Sequence, residues 1–141
     1  MAASEDATGL AQVRFTANFE ANLASIEAFW LQNEYPVGYG RLLDALSDTV
    51  IANLERHPRL GRSFFGRVAE SAEALGLVQK LHARFAGYDA GADVREYVMD
   101  HYLVLYAVID QKHPKAPVLY LLAIKHHKQL SFDFEHLGLN R

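Results

Sequence analysis

Arg95, Tyr97, Tyr102 and Tyr106 gather a guanidinium and three phenols into one short stretch. An arginine fork can hold a phosphate or carboxylate through two parallel hydrogen bonds. Tyrosine rings give a ligand contact area and a polar tip. A second group, Lys125, His126 and Lys128, sits at the end of an apolar run. It combines two ammonium groups with an imidazole that titrates near neutral pH, a set able to bind phosphate or move protons. A third group, Arg56, Arg59, Arg62 and Arg67, surrounds a Pro-containing turn. Each group also has a plain structural reading, as half-buried strand tyrosines, a solvated strand end and a solvated basic turn.

The first group must be positioned by a hairpin. Val94 to Ile109 is rich in Val, Tyr and Leu and is broken by Asp100-His101, the pattern of two strands around a tight turn. A two-residue turn sets Val98 opposite Leu103 and Arg95 opposite Tyr106. Because strand side chains alternate, one face carries Arg95, Tyr97, Met99, Tyr102, Val104 and Tyr106. The other carries Val94, Glu96, Val98, Leu103, Leu105 and Ala107. The aliphatic face is expected to pack on helices, leaving the guanidinium and phenols on the open side.

Upstream, Val13-Arg-Phe15 is a short strand and Thr16 caps the helix after it. Phe19, Leu23, Ile26 and Trp30 form that helix's apolar stripe, and Trp30 is expected to serve helix packing. A second helix runs from about Val37 to Arg56, with Leu42, Leu43, Leu46, Val50, Ile51 and Leu54 on its stripe, and stops before Pro58. A third is predicted over about Val68 to Phe85. Val118 to Lys125 is apolar nearly throughout, as a strand buried on both faces would be. The tail from Leu130 to Gly138 is expected to form a short strand or turn over a sheet edge. Helices first and strands gathered last predict an α+β, two-layer fold. Its small antiparallel sheet carries an N-terminal helical hairpin on one face and an extra inserted helix.

The 141 residues suit one domain with a core, residues 1–11 being a flexible N-terminus. The net charge of −3 is segregated: residues 1–55 hold two basic and eight acidic side chains, residues 56–141 twelve and nine. Such segregation can steer a charged partner, but the chain is not basic enough to mark a nucleic-acid binder. The absence of cysteine excludes disulfides and thiolate metal sites and fits a cytoplasmic protein. No apolar run is long enough for a membrane span. Phosphate-loop, dinucleotide-binding, zinc-protease and nucleophile-elbow motifs are all missing, so no cofactor is expected. His126 and His127 point to opposite faces if they lie on a strand, so no metal site is expected either.

Several of these pieces occur together in a known family. They are Val13-Arg-Phe-Thr16, the segment Leu54-Glu-Arg-His-Pro-Arg-Leu-Gly-Arg62, Val94-Arg-Glu-Tyr97, Tyr102-Leu-Val-Leu-Tyr106 and Leu121-Leu-Ala-Ile-Lys-His126. In this order they resemble the RelE/ParE superfamily of bacterial toxins from type II toxin–antitoxin systems, closer to the ParE-like, plasmid-stabilisation members. Residues 63–93 then look like a helical insertion.

The resemblance implies a small toxin neutralised by a cognate antitoxin in a hetero-oligomer. It also implies one of two targets, the ribosome with its mRNA for RelE-like members or DNA gyrase for ParE-like ones. A RelE-like, metal-independent endoribonuclease would use Arg95 on the phosphate, Lys125 or His126 for proton transfer and Tyr106 for stacking. However, Leu103 stands where RelE-like hairpins carry an arginine, and a net-acidic chain suits an RNA-lined site poorly. The ParE-like reading is therefore favoured: a non-enzymatic toxin that binds a protein. Arg95, Tyr97, Tyr102, Tyr106, Arg62 and Lys128 are then the candidate binding residues. A non-toxic interaction protein is the remaining alternative.

Overall fold

The computed structural model describes residues 9–64, 93–112, 114–129 and 132–136. Strand β1 (Gln12–Phe15) leads into helix α1 (Ala17–Gln32). A second helical rod spans 36–56, made of α2 (Pro36–Ala45), a π-helical turn (Leu46–Ile51) and α3 (Ala52–Arg56). Strands β2 (Arg62–Ser63), β3 (Asp93–Val98), β4 (Tyr102–Ile109) and β5 (Val118–His126) follow. The third helix expected over 68–85, and most of the 63–93 insertion, lie outside the described residues.

The five strands form one sheet in the order β1-β5-β4-β3-β2. The hairpin register is the expected one, with Arg95 opposite Tyr106 and Val98 opposite Leu103. The sheet is mixed rather than antiparallel, because β1 pairs with β5 in parallel. A parallel pair needs a long connection, and here nearly the whole chain supplies it.

Helix α1 starts where Thr16 accepts a hydrogen bond from Phe19 N–H at 3.2 Å. Phe19, Leu23 and Ile26 are buried. In the second rod Leu42, Leu46, Val50 and Leu54 are buried, while Leu43 is exposed. Four residues overshoot a 3.6-residue turn by about 40°, so a strict four-residue repeat drifts off one face. The wider π turn at Leu46–Ile51 takes up that drift and keeps all four side chains on the sheet. Pro36 opens the rod at a first-turn position, where its missing N–H costs nothing.

The two faces of the sheet are covered in the opposite sense to the sequence expectation. Tyr102, Val104, Tyr106 and Val108 share one core cluster with Phe19, Leu23, Leu42, Leu46, Val50 and Leu54. The phenol face is therefore the one beneath the helices. Leu105, Ala107, Ile109, Leu122 and Ala123 form a second cluster with Phe64, against which Phe132 and Phe134 of the tail pack. The tail thus lies on a face, not along an edge. The physical reason is that the phenols satisfy both demands of the helical interface: rings fill the space, and hydroxyls meet polar groups there. Tyr97 accepts from Asn53 Nδ2 at 3.0 Å, Tyr102 from Trp30 Nε1 at 3.1 Å, and Tyr106 from Gly61 N–H at 2.9 Å.

Strand β5 carries a β-bulge. Leu105 pairs with Ala123 and Tyr106 with Leu121, so Leu122 is the extra residue. Leu122 and Ala123 consequently both face the tail. Side chains at the start of α1 satisfy the backbone groups this region offers. Thr16 Oγ1 donates to Leu121 O at 2.8 Å, Asn18 Nδ2 to Leu122 O at 2.8 Å, and Ile124 N–H donates to Asn22 Oδ1 at 2.9 Å. Asn18 and Asn22 also donate to Asp133 O at 2.8 and 3.3 Å, and His136 N–H donates to Asn18 Oδ1 at 3.0 Å. The two asparagines, one helical turn apart, hold the bulged strand and the tail together.

Candidate functional site

The candidate residues separate into three places. The first is the Arg59–Ser63 turn. There Arg95 donates from Nη1 to Gly61 O at 2.7 Å and to Arg59 O at 3.3 Å, and from Nε to Asp93 at 3.0 Å. Tyr106, opposite Arg95, is wholly buried, and burial raises its phenol pKa above the ordinary value. Arg59 bridges Asp93 and Asp110 at 2.8 and 2.9 Å. Those bonds, the one to Asp110 foremost, hold its pKa above the usual arginine value. Arg62 holds the buried Glu96 carboxylate at 2.9 Å. The basic turn is thus an ion-paired clasp between the end of the second rod and strands β3 and β4. Arg67 lies outside the described residues.

The second place is the opposite end of the hairpin. Tyr102 pairs with His126 across β4 and β5, and their rings meet edge to face at 5.3 Å. His101, at the hairpin turn, stacks parallel to His126 at 6.3 Å. Trp30 closes the corner from α1 through its bond to Tyr102. Two grooves, each of about 660 Å³, flank this wall of Trp30, Tyr102 and His126. One runs between α2 and the hairpin turn, bordered by Arg41, Thr49, Tyr97, Val98 and His101. The other runs between α1 and the end of β5, bordered by Asn22, Phe29, Asn33, Lys128 and Asp133. Gly38, at the edge of the first groove, lets the Trp30 ring lie directly against α2, since a Cβ there would come within 2.6 Å of that ring.

The third place is the tail face. Lys125 is buried there, donating from Nζ to Gln129 O at 2.9 Å and lying 5.5 Å from the centre of the Phe132 ring. It sits on the side of the sheet away from Arg95, Tyr106 and the helices.

Arg95, Tyr106, Lys125 and His126 are therefore not brought together. The four-residue step along β4 from Tyr102 to Tyr106 separates His126 from the Arg95–Tyr106 pair by about 13 Å, and Lys125 faces the other way. General acid–base work needs its groups within hydrogen-bond reach of one reacting site. Tyr97, Tyr102, His126 and Lys128 do converge on the grooves, an arrangement suited to binding. Sequence reasoning missed Asn53 and Arg41 in this region. Asn53 lies on a mostly apolar turn of the second rod, and that polar interruption was the available signal.

The imidazole of His126 accepts a hydrogen bond from Lys128 N–H at its Nδ1, at 3.1 Å. Its pKa is lowered, by burial first and then by the charges of Lys128, His101, His127 and Lys125. The folded chain therefore holds this proton less well than the unfolded chain. Stability is full above the ordinary histidine value of 6.5, falls as pH drops through it, and levels off below the depressed folded value. Urea unfolding should show a larger loss between pH 7.5 and pH 5.5 for the natural chain than for His126→Gln. Equal losses would remove His126 as the source.

Among the described residues no helix is long and apolar enough to cross a membrane. No curated protein matches the chain at a significant level. The family model for the ParE toxin of type II toxin–antitoxin systems, parDE, matches residues 13–131. That span runs from β1 to beyond β5 and takes in all the candidate binding residues, so the chain belongs to the ParE toxin family of type II toxin–antitoxin systems.

Proposed function

We propose that this toxin poisons a protein target by binding it, with DNA gyrase as that target, and that a cognate antitoxin neutralises it. The observation that carries this reading is the disposition of its cations. Arg95 is engaged by Gly61 O, Arg59 O and Asp93, and Tyr106 has no exposed surface. Neither is presented to an RNA phosphate or base. The exposed material at the hairpin end is instead mixed: Val98, Lys128, His101 and Arg41. Such a surface suits protein recognition, where aromatic and arginine anchors sit within a polar rim. The chain acts in the cytoplasm as a single toxin domain with residues 63–93 inserted, within a plasmid-stabilisation module.

Two assays separate the targets. Purified toxin is expected to block supercoiling by gyrase, and the antitoxin encoded by the adjacent reading frame is expected to restore it. Primer extension on translated mRNA is expected to show no new cleavage. Codon-specific cuts that vanish in a folded Arg95→Ala variant would replace this proposal with the endoribonuclease reading. Harmless overexpression without antitoxin would replace it with a non-toxic interaction role.

A further inference from the structure

The turn that ends β5 depends on a ring nitrogen used as an acceptor. Lys128 N–H donates to His126 Nδ1 at 3.1 Å, and only a ring nitrogen without a proton can accept it. The same turn is closed by Gln129 N–H donating to His126 O at 3.0 Å and by His126 N–H donating to Gln129 Oε1 at 2.9 Å. His127 N–H ties it to the hairpin turn, donating to His101 O at 3.0 Å. The His127 ring adds a bond between Nε2 and Tyr102 O at 3.1 Å. A carbonyl oxygen only accepts, so that nitrogen already carries its proton. A second proton on His127 leaves this bond in place. On His126 a second proton makes Nδ1 a donor that faces another donor. Of these bonds, that one alone is reversed by a proton near neutral pH.

The surroundings decide where a charged ring goes. His126 meets the Tyr102 ring at 5.3 Å and stacks on His101 at 6.3 Å. Lys125, His127 and Lys128 adjoin it at its own strand end, while Arg41, Asp100 and Asp133 border the grooves on either side. Burial, then the positive groups Lys128, His101, His127 and Lys125, lower its pKa. A protonated ring is therefore repelled within the wall and relieved in solvent. Lys128 is exposed, so water can take up its freed N–H, and the turn can open without unfolding the sheet.

We propose that His126 is a proton-operated latch. Neutral, it closes the His126–Gln129 turn and completes the wall of Trp30, Tyr102 and His126 between the two grooves. Charged, it releases Lys128 N–H and swings out of the wall, so that the grooves join along their shared side. A partner that needs the divided surface then binds in a proton-dependent way. The latch itself is independent of the target assigned above.

Nuclear magnetic resonance of the full chain, titrated from about pH 7.5 to about pH 5, tests the latch. At the upper pH the His126 ring is expected to carry its proton on Nε2, with Nδ1 bare. As the ring gains its second proton, the Lys128 amide proton is expected to move upfield with the same midpoint. The Trp30 indole N–H should follow, because its acceptor is the Tyr102 hydroxyl. In His126→Asn the side-chain oxygen takes the place of Nδ1 and accepts at every pH. That variant is expected to lose both shifts while keeping the fold. A neutral ring protonated on Nδ1, a Lys128 amide indifferent to the ring's titration, or shifts that survive in His126→Asn would each overturn the proposal. The first two are read on the natural chain and need no variant to fold.

Discussion

Gly61→Ala is expected to destabilise the toxin by about 3 kcal/mol, because the added methyl has nowhere to go. A Cβ at this buried position would lie 2.7 Å from Glu96 O, 2.8 Å from the Tyr106 hydroxyl and 2.9 Å from its ring. Overpacking of this kind costs about 1–3 kcal/mol. Glu96 O belongs to the backbone of β3 and cannot swing aside, and the Tyr106 ring is fixed between sheet and helices. Any outward shift also stretches the bond from Gly61 N–H to the phenol, worth about 1 kcal/mol. Urea unfolding measures the loss. Tyr106→Phe gives the complementary result. It removes the acceptor, leaves Gly61 N–H buried without that partner, and costs about 1–3 kcal/mol. The double variant is expected to cost less than the sum of the two, since the methyl gains the space the hydroxyl vacates. Strict additivity would mean that Gly61 and Tyr106 do not act on each other.

Asn18→Leu is expected to cost a similar amount, about 3 kcal/mol, by a different route. The amide is fully buried and serves Leu122 O, Asp133 O and His136 N–H. Leucine matches its bulk and none of its bonds. Each buried group left unpaired costs about 1–3 kcal/mol, and the two on the tail recover part of that from water. The local signature is more telling than the total. Residues 132–136 lose two anchors, so Phe132 and Phe134 are expected to leave the Leu105–Ala107–Leu122 surface. Limited proteolysis should then cut the tail in Asn18→Leu under conditions where the natural chain resists. A loss under about 1 kcal/mol with an equally resistant tail would show that the asparagine is not the anchor.

Local rules made part of this molecule readable in advance. Thr16 announced a helix start because a hydroxyl before an apolar periodic run has one obvious use. Asp100-His101 fixed the hairpin register because few residues were left for the turn. Alternation then told correctly that Arg95, Tyr97, Tyr102 and Tyr106 share a face. It did not tell which side the helices take, because period-two patterning relates residues to each other and not to the next layer. Tyrosine suits either answer, and the hydroxyl partners that decide it, Asn53, Trp30 and Gly61, are remote in sequence. The bulge at Leu122, the parallel pairing of β1 and the π turn are likewise settled by partners across the fold. The family was legible from the order of short motifs. The candidate site was legible only in part. The hairpin residues could be named, but whether each was exposed or engaged depended on groups 34 to 72 positions away, such as Gly61 for Arg95 at 2.7 Å and Trp30 for Tyr102 at 3.1 Å.

Each phenol of the hairpin fastens a different piece of chain: Tyr102 secures α1, Tyr97 the end of the second rod and Tyr106 the loop beyond it. Three latches at three heights along one ribbon permit a single alignment of the upper layer. A slip by one helical turn would release several of them at once, so partial sliding has no foothold between seated and detached. Melting followed at Trp30 and by backbone dichroism should accordingly trace one coincident curve.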